Sequence, residues 1–215
     1  MQLLPYQIKD GAVMNQFSRN TVLLAAAVAL AGCSGANSSG QTDSSPPLQG
    51  ATIGGPFTLT DQDGKTVTSA SFAGKYRVMY FGYTYCPDVC PVDMQHLGQG
   101  MRMLAKSDPG VAAKVVPIFV SVDPERDTPP VLKQYVAAFY PTMVGLTGSD
   151  QAIAKTAKEY HIFYQKVPAK NGSGQYLINH SQVAYLMSPE NKPIALVPVD
   201  ESAQSVADTL RRWVS

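Results

Sequence analysis

An α/β fold, with helices on both faces of a mixed central sheet and a β-hairpin at its N-terminal edge, is what the order of patterns along this chain predicts. Three observations carry the prediction. Two apolar runs of strand length, one ending Val78–Phe81 and one over Val115–Val122, are separated by an amphipathic helical stretch. Two short alternating runs flank an Asp-Gly turn at the start of the folded region. Each later change of hydrophobic period is marked by Gly, Pro, Asn, Asp or Ser.

The hairpin comes first. Phe57–Thr60 and Lys65–Thr68 alternate around Asp61-Gln-Asp-Gly64. Tyr76–Phe81 is the first central strand, and Pro91–Lys106 the first helix. Met94, Leu97, Met101 and Leu104 make one stripe on that helix, a core face rather than a set of metal ligands. His96 lies off the stripe and reads as a surface residue. Val115–Val122 is a second buried strand. Asp127 or Thr128 can cap a helix that Pro129 opens and that runs to about Phe139. Met143–Leu146 is a short strand. Ser149 or Asp150 caps a helix over Gln151–Tyr160, and His161 leads as a structural residue into a strand over Ile162–Lys166. Asn171–Gly174 is a loop. Val183–Met187 and Ile194–Val199 make an antiparallel pair across Ser188–Lys192, and Ser202–Val214 closes the chain as an amphipathic helix.

Composition sets bounds. The 215 residues are 45% hydrophobic and 15% charged, with a net charge of +1. That suits one domain of ordinary size plus a tail, and gives no argument for nucleic acid as a partner. No apolar run reaches the roughly 18 residues expected of a stable spanning helix. The apolar run Thr21–Leu30 follows Lys9 and Arg19 and ends Leu30-Ala31-Gly32-Cys33, the parts of an export signal. Met14 precedes this run at a normal distance and is an alternative start. The ending resembles a bacterial lipobox, which implies cleavage before Cys33, lipid on its sulfur, and attachment at the periplasmic face of a bacterial envelope membrane. The expected organisation is an export signal with lipobox over 1–33, a flexible Ser/Gly/Pro-rich tether over 34–52 and a folded domain over 53–215.

The chemistry concentrates in Tyr80–Pro91, where a buried strand hands over to a helix. Cys86 and Cys90 stand there with three residues between them, each followed by proline. Pro91 favours the first helical position, which puts Cys90 at the N-cap and Cys86 in the loop before it. A helix N-terminus favours the thiolate, which is both nucleophile and metal ligand. A structural staple across so short a loop would remove little chain entropy, so function explains the pair better. Spacing alone does not single out a third ligand among the histidines.

Larger motifs add to this. Phe81-Gly-Tyr-Thr-x-Cys86-Pro-Asp-Val-Cys90-Pro91, Phe119-Val-Ser-Val-Asp123-Pro-Glu-Arg-Asp-Thr-Pro129 and His180-Ser181 before a strand together resemble the SCO family (SenC/PrrC type), over about Ile53–Ser215. The resemblance implies a thioredoxin-like fold, with His180 where such folds commonly carry a cis-proline facing the cysteine pair. It implies copper held by Cys86, Cys90 and His180, and a tethered metallochaperone that helps build the dinuclear copper centre of cytochrome c oxidase. The partners it implies are the copper-bearing oxidase subunit and other copper chaperones or thiol reductants, met by a monomer. Two thiolates and an imidazole suit three-coordinate Cu(I), or Cu(II) with an added oxygen, and fall short of structural zinc's usual four ligands. Asp88 and Asp123 are candidate oxygen donors or partners of the ligands, with turn and loop formation as the simpler reading. Many members carry His where this chain has Tyr85, which removes an accessory ligand. The alternative is a thiol–disulfide oxidoreductase that reduces cysteines of an oxidase subunit. A weaker one is a thioredoxin-like peroxidase, which needs one dominant low-pKa cysteine that the sequence does not mark.

Overall fold

The computed structural model describes residues 45–168 and 176–215. The expected export signal, Cys33 and the Asn171–Gly174 loop lie outside them. In chain order the elements are β1 (Thr58–Asp61), β2 (Thr66–Thr68), β3 (Tyr76–Gly82), α1 (Val89–Ser107), the short α2 (Pro109–Ala112), β4 (Val115–Ser121), α3 (Pro129–Phe139), β5 (Val144–Thr147), α4 (Asp150–Glu159), β6 (Tyr164–Pro168), β7 (Tyr176–His180), β8 (Ala184–Met187), β9 (Pro193–Leu196) and α5 (Ala203–Trp213).

Seven strands form one mixed sheet in the order β2-β1-β5-β4-β3-β8-β9. The inner three, β5, β4 and β3, are parallel, and antiparallel strands complete both edges. Buried on both faces, β3 and β4 show continuous apolar runs rather than alternation. Their side chains still take the two faces in turn. Tyr80 points to the face of α1, where its hydroxyl donates to Asp93 at 2.8 Å. Its ring lies 6.1 Å from Phe119, which in turn meets Tyr135 of α3 at 5.0 Å. Phe81 points the other way, to Tyr160 at the end of α4, 5.3 Å between ring centres. Each such fully buried large side chain contributes ~1.5–3 kcal/mol relative to exposure. The stripe Met94, Leu97, Met101 and Leu104 is wholly buried, as its spacing requires.

Three local features depart from expectation. First, α1 starts at Val89, not Pro91, so Asp88 is its N-cap and Cys90 lies inside its first turn. Proline is tolerated one turn into a helix because the first N–H groups have no intrahelical partner anyway. Second, Tyr176–His180 is a strand. It pairs with β6 as a separate two-stranded ribbon outside the main sheet, with Tyr164 opposite His180. Five residues without clear alternation, next to a polar loop, carry no strand signal of their own. Third, residues 46–52 pack against the domain: the Leu48 N–H donates to the Ile194 carbonyl at 3.0 Å, and Leu48 and Ile53 sit on the core. His161 ends α4 in the left-handed region, φ 54°, with Nε2 3.1 Å from the Thr52 carbonyl, a structural role. Among the described residues no helix is long and apolar enough to cross a membrane.

Candidate metal centre

Strand β3 ends at Gly82, and the chain turns through Tyr83–Asp88 before α1 begins. This turn carries Cys86, half-buried, and delivers Cys90, fully buried, at the sheet's edge. No residue larger than glycine fits at the pivot. A Cβ on Gly82 would come within 2.9 Å of both Cys90 Sγ and the Tyr80 ring. The turn is tied to β4 by Asp127, whose buried carboxylate accepts from the Thr84 N–H (2.9 Å), the Thr84 hydroxyl (2.6 Å) and the Ser121 hydroxyl (2.6 Å). Helix α3 is capped by Thr128 without a side-chain bond, so Asp127 serves the turn and not the helix.

The ribbon brings His180 to the same edge. Its Nε2 lies 3.3 Å from Cys90 Sγ, and its Nδ1 lies 2.9 Å from the Ser181 carbonyl. A carbonyl can only accept, so Nδ1 carries a proton, and the Nε2 edge of the ring is the one turned to the sulfurs. The three donor atoms of Cys86, Cys90 and His180 all lie within 4.8 Å of one another. Both cysteines are free thiols. Two soft sulfurs and one imidazole nitrogen fit a thiophilic metal such as copper.

The thiols are unequal. The Cys86 thiol is held well below its ordinary pKa. The hydrogen bond with Cys90 is the largest cause, followed by one with His180 and the backbone N–H groups of Cys90 and Asp88, all against the opposing effect of burial. The Cys90 N–H lies 3.5 Å from Cys86 Sγ. Cys90 is pushed the other way, first by its hydrogen bond to Cys86 and then by burial. Lesser burial and the N–H groups at the helix start thus favour the negative charge on Cys86 over Cys90. A dominant low-pKa cysteine, which the sequence does not mark, is thus present. Beneath Cys90, burial keeps the Tyr80 phenol protonated and raises the Asp93 carboxyl.

Of the two candidate oxygen donors, neither belongs to the cluster. Asp88 is exposed and contributes its backbone N–H to Cys86, not its carboxylate. Asp123 is fully buried, but its carboxylate accepts from the Arg126 guanidinium and, at 2.7 Å, from the Tyr176 hydroxyl. His96 is half-buried rather than on the surface, and its Nδ1 lies 2.8 Å from the Val199 carbonyl.

The SCO1/SenC family profile matches residues 45–215. The chain belongs to the SCO1/SenC family. Among SCO relatives, the mitochondrial SCO1 homolog 1 of Arabidopsis thaliana is 41% identical over 163 residues, 76% of this chain and 47% of that protein. The SCO2-like protein of Rickettsia prowazekii is 33% identical over 159 residues, 74% of this chain and 76% of that one. The chain spans about half of the Arabidopsis protein's length. Solved Sco structures match over nearly their whole length. Copper-bound ScoI of Bradyrhizobium japonicum is 41% identical with a TM-score of 0.67, covering 75% of this chain and 99% of that one. Copper-bound ScoI of Arabidopsis thaliana is 38% identical with a TM-score of 0.68, covering 74% and 97%. The SCO thioredoxin-like architecture expected from the sequence is thus the observed one. BsSco, 27% identical with a TM-score of 0.57 over 75% of this chain and 94% of that one, is described as carrying a disulfide switch and as one of a family of cytochrome c oxidase assembly proteins.

Proposed function

We propose that this chain binds one copper ion through Cys86, Cys90 and His180 and helps assemble the dinuclear copper centre of cytochrome c oxidase. The carrying observation is the meeting of two sulfurs and an imidazole nitrogen within 4.8 Å. Copper bound in solved relatives of 38% and 41% identity supports the choice of metal. The thiolate of Cys86 is ready to bind, whereas Cys90 must lose its proton, so loading releases protons and weakens in acid. Three protein donors leave a coordination position for a donor group of the copper-bearing oxidase subunit. The export signal and Cys33 lipobox support a chain held at the periplasmic face of a bacterial membrane by lipid.

The test is copper titration of the reduced full chain beside His180→Ala. Mutation of metal-site groups commonly costs ~10–100-fold in affinity, and we expect a loss of at least that size. Equal binding by the two proteins refutes the ligand set. A second reading, a thiol reductant for the cysteines of an oxidase subunit, is favoured by the low-pKa Cys86 beside a second free thiol. An exchange rate with a model disulfide no faster than that of an ordinary thiol counts against it.

A further inference from the structure

The ribbon β6–β7 raises a question that the cysteines do not. It carries His180, yet it shares no strand pairing with the main sheet. Beyond its short chain connections to α4 and β8 and the burial of Ile178, its position depends on side-chain contacts. Arg126 is placed where the ribbon and the Cys86 turn approach each other. The guanidinium carbon lies 3.8 Å from the centre of the Tyr176 ring on β7. It also lies 4.9 Å from the Tyr85 ring and 5.7 Å from the Tyr83 ring, on the two sides of Thr84 in the turn that leads to Cys86. Its Nη1 donates to the Tyr176 carbonyl at 3.1 Å, and its Nε donates to Asp123. Asp123 in turn accepts from the Tyr176 hydroxyl. One planar cation thus touches the element that carries the sulfurs and the element that carries the imidazole.

We infer that Arg126, oriented by Asp123, is the positioning residue that sets the distance between His180 and the two thiols. The inference rests on His180 being a copper ligand. A guanidinium suits the task because it stacks its plane on aromatic rings and donates from that fixed plane at the same time; an ammonium can sit over a ring, as Lys166 Nζ does 4.6 Å from the centre of Tyr176, but has no plane to fix its donors. The other ties of the ribbon are of a different kind. Lys166 pairs with Glu125 at an exposed surface, and the Ile178 N–H donates to the Tyr83 hydroxyl at 3.2 Å. The second of these reaches the same turn, so the Arg126 stack and the Tyr83 bond reinforce one another. Arg126 touches neither the sulfurs nor the imidazole, and its effect passes through the ribbon.

The test uses the reduced full chain with Arg126→Lys, Tyr176→Phe, His180→Ala and the double variant Arg126→Lys/His180→Ala. Tyr176→Phe keeps the ring and removes the hydroxyl's contacts to Asp123 and, at 3.2 Å, Glu125, so it reports even where Arg126→Lys fails to fold. Arg126→Lys is expected to bind Cu(II) about 10-fold more weakly, with loss of the imidazole-nitrogen splitting in the electron paramagnetic resonance spectrum. Tyr176→Phe is expected to move both in the same direction by less. In the His180→Ala background, Arg126→Lys costs nothing further, because there is no imidazole left to place. In the copper-free protein, the Ile178 amide exchanges faster in Arg126→Lys while the amides of β3 keep their rates. An unchanged nitrogen splitting, an equal affinity loss in both backgrounds, or an unchanged Ile178 exchange rate overturns the inference. If His180→Ala itself binds copper like the parent, the ligand assignment has failed instead, and the two failures are told apart.

Discussion

The turn after β3 and the β6–β7 ribbon supply one candidate site by opposite means. The turn grows from the most buried part of the molecule, with Val78–Phe81 and Cys90 wholly enclosed. Its conformation is set by close packing around Gly82 and Cys90 and by the bonds to buried Asp127, and its ligands are four positions apart in sequence. The ribbon is an outlying pair of strands, with exposed residues such as Lys166 and Asn179, and its ligand lies 90 residues from Cys90. The difference teaches that one metal site can be held by the core on one side and by a ribbon outside the main sheet on the other. Sulfur positions then follow from the core, and the imidazole follows from a few polar and aromatic contacts.

The comparison is broken most directly by a cavity under the turn. Phe119→Ala removes the ring that packs against Tyr80 and Tyr135. We expect a loss of ~3–5 kcal/mol in urea unfolding, with the cysteine turn disturbed along with the fold. A loss below ~1 kcal/mol would mean that the turn does not depend on the core in this way.

A chemical probe sharpens the same contrast. The depressed pKa of Cys86 makes it a thiolate above its folded value, and that reactivity disappears only as pH falls through it. Alkylation of Cys86 should therefore keep its rate from pH 8 to pH 6, apart from changes in the reagent, whereas an ordinary thiol slows by about 100-fold. Cys90, raised and buried, should stay unmodified in the same samples. Peptide mapping after timed alkylation measures both. A hundredfold slowing of Cys86 would show that the bond from Cys90 does not hold the thiolate.

The smallest effect is expected at the ribbon's outer tie. Lys166 and Glu125 lie at the surface, with 46% and 65% of their side chains accessible. Exposed pairs contribute little after screening and side-chain entropy are counted. Lys166→Ala should leave both the unfolding midpoint and copper affinity unchanged. A clear drop in copper affinity would move the ribbon's anchorage from the Arg126 stack to the surface pair.

Much of this was legible along the chain because it is local. The Asp-Gly hairpin, the two apolar central strands, the buried methionine stripe of α1 and a cap for α4 at Ser149 or Asp150 follow from periodicity and capping within a few residues. The Cys-x-x-x-Cys turn was legible for the same reason. The register of the helix start was not, since Pro91 is compatible with several positions in a first turn. Nor was β7, whose partner β6 lies across a loop and whose residues carry no alternating pattern. Asp127 stood in plain view in Asp123-Pro-Glu-Arg-Asp127, but a capping residue and an anchor for another loop look alike in one dimension.

The amino-acid order by itself determined the class of fold, the place where two thiols meet the end of a strand, and their chemical softness. Those properties depend on hydrophobic period and residue type, which neighbours in sequence already express. Only the tertiary structure decided that the imidazole of His180 reaches the sulfurs, that Cys86 is better placed than Cys90 to hold negative charge, and that Arg126 lies between the two sides. Each of these depends on distances and burial between segments far apart in the chain, and such distances exist only once the core has packed.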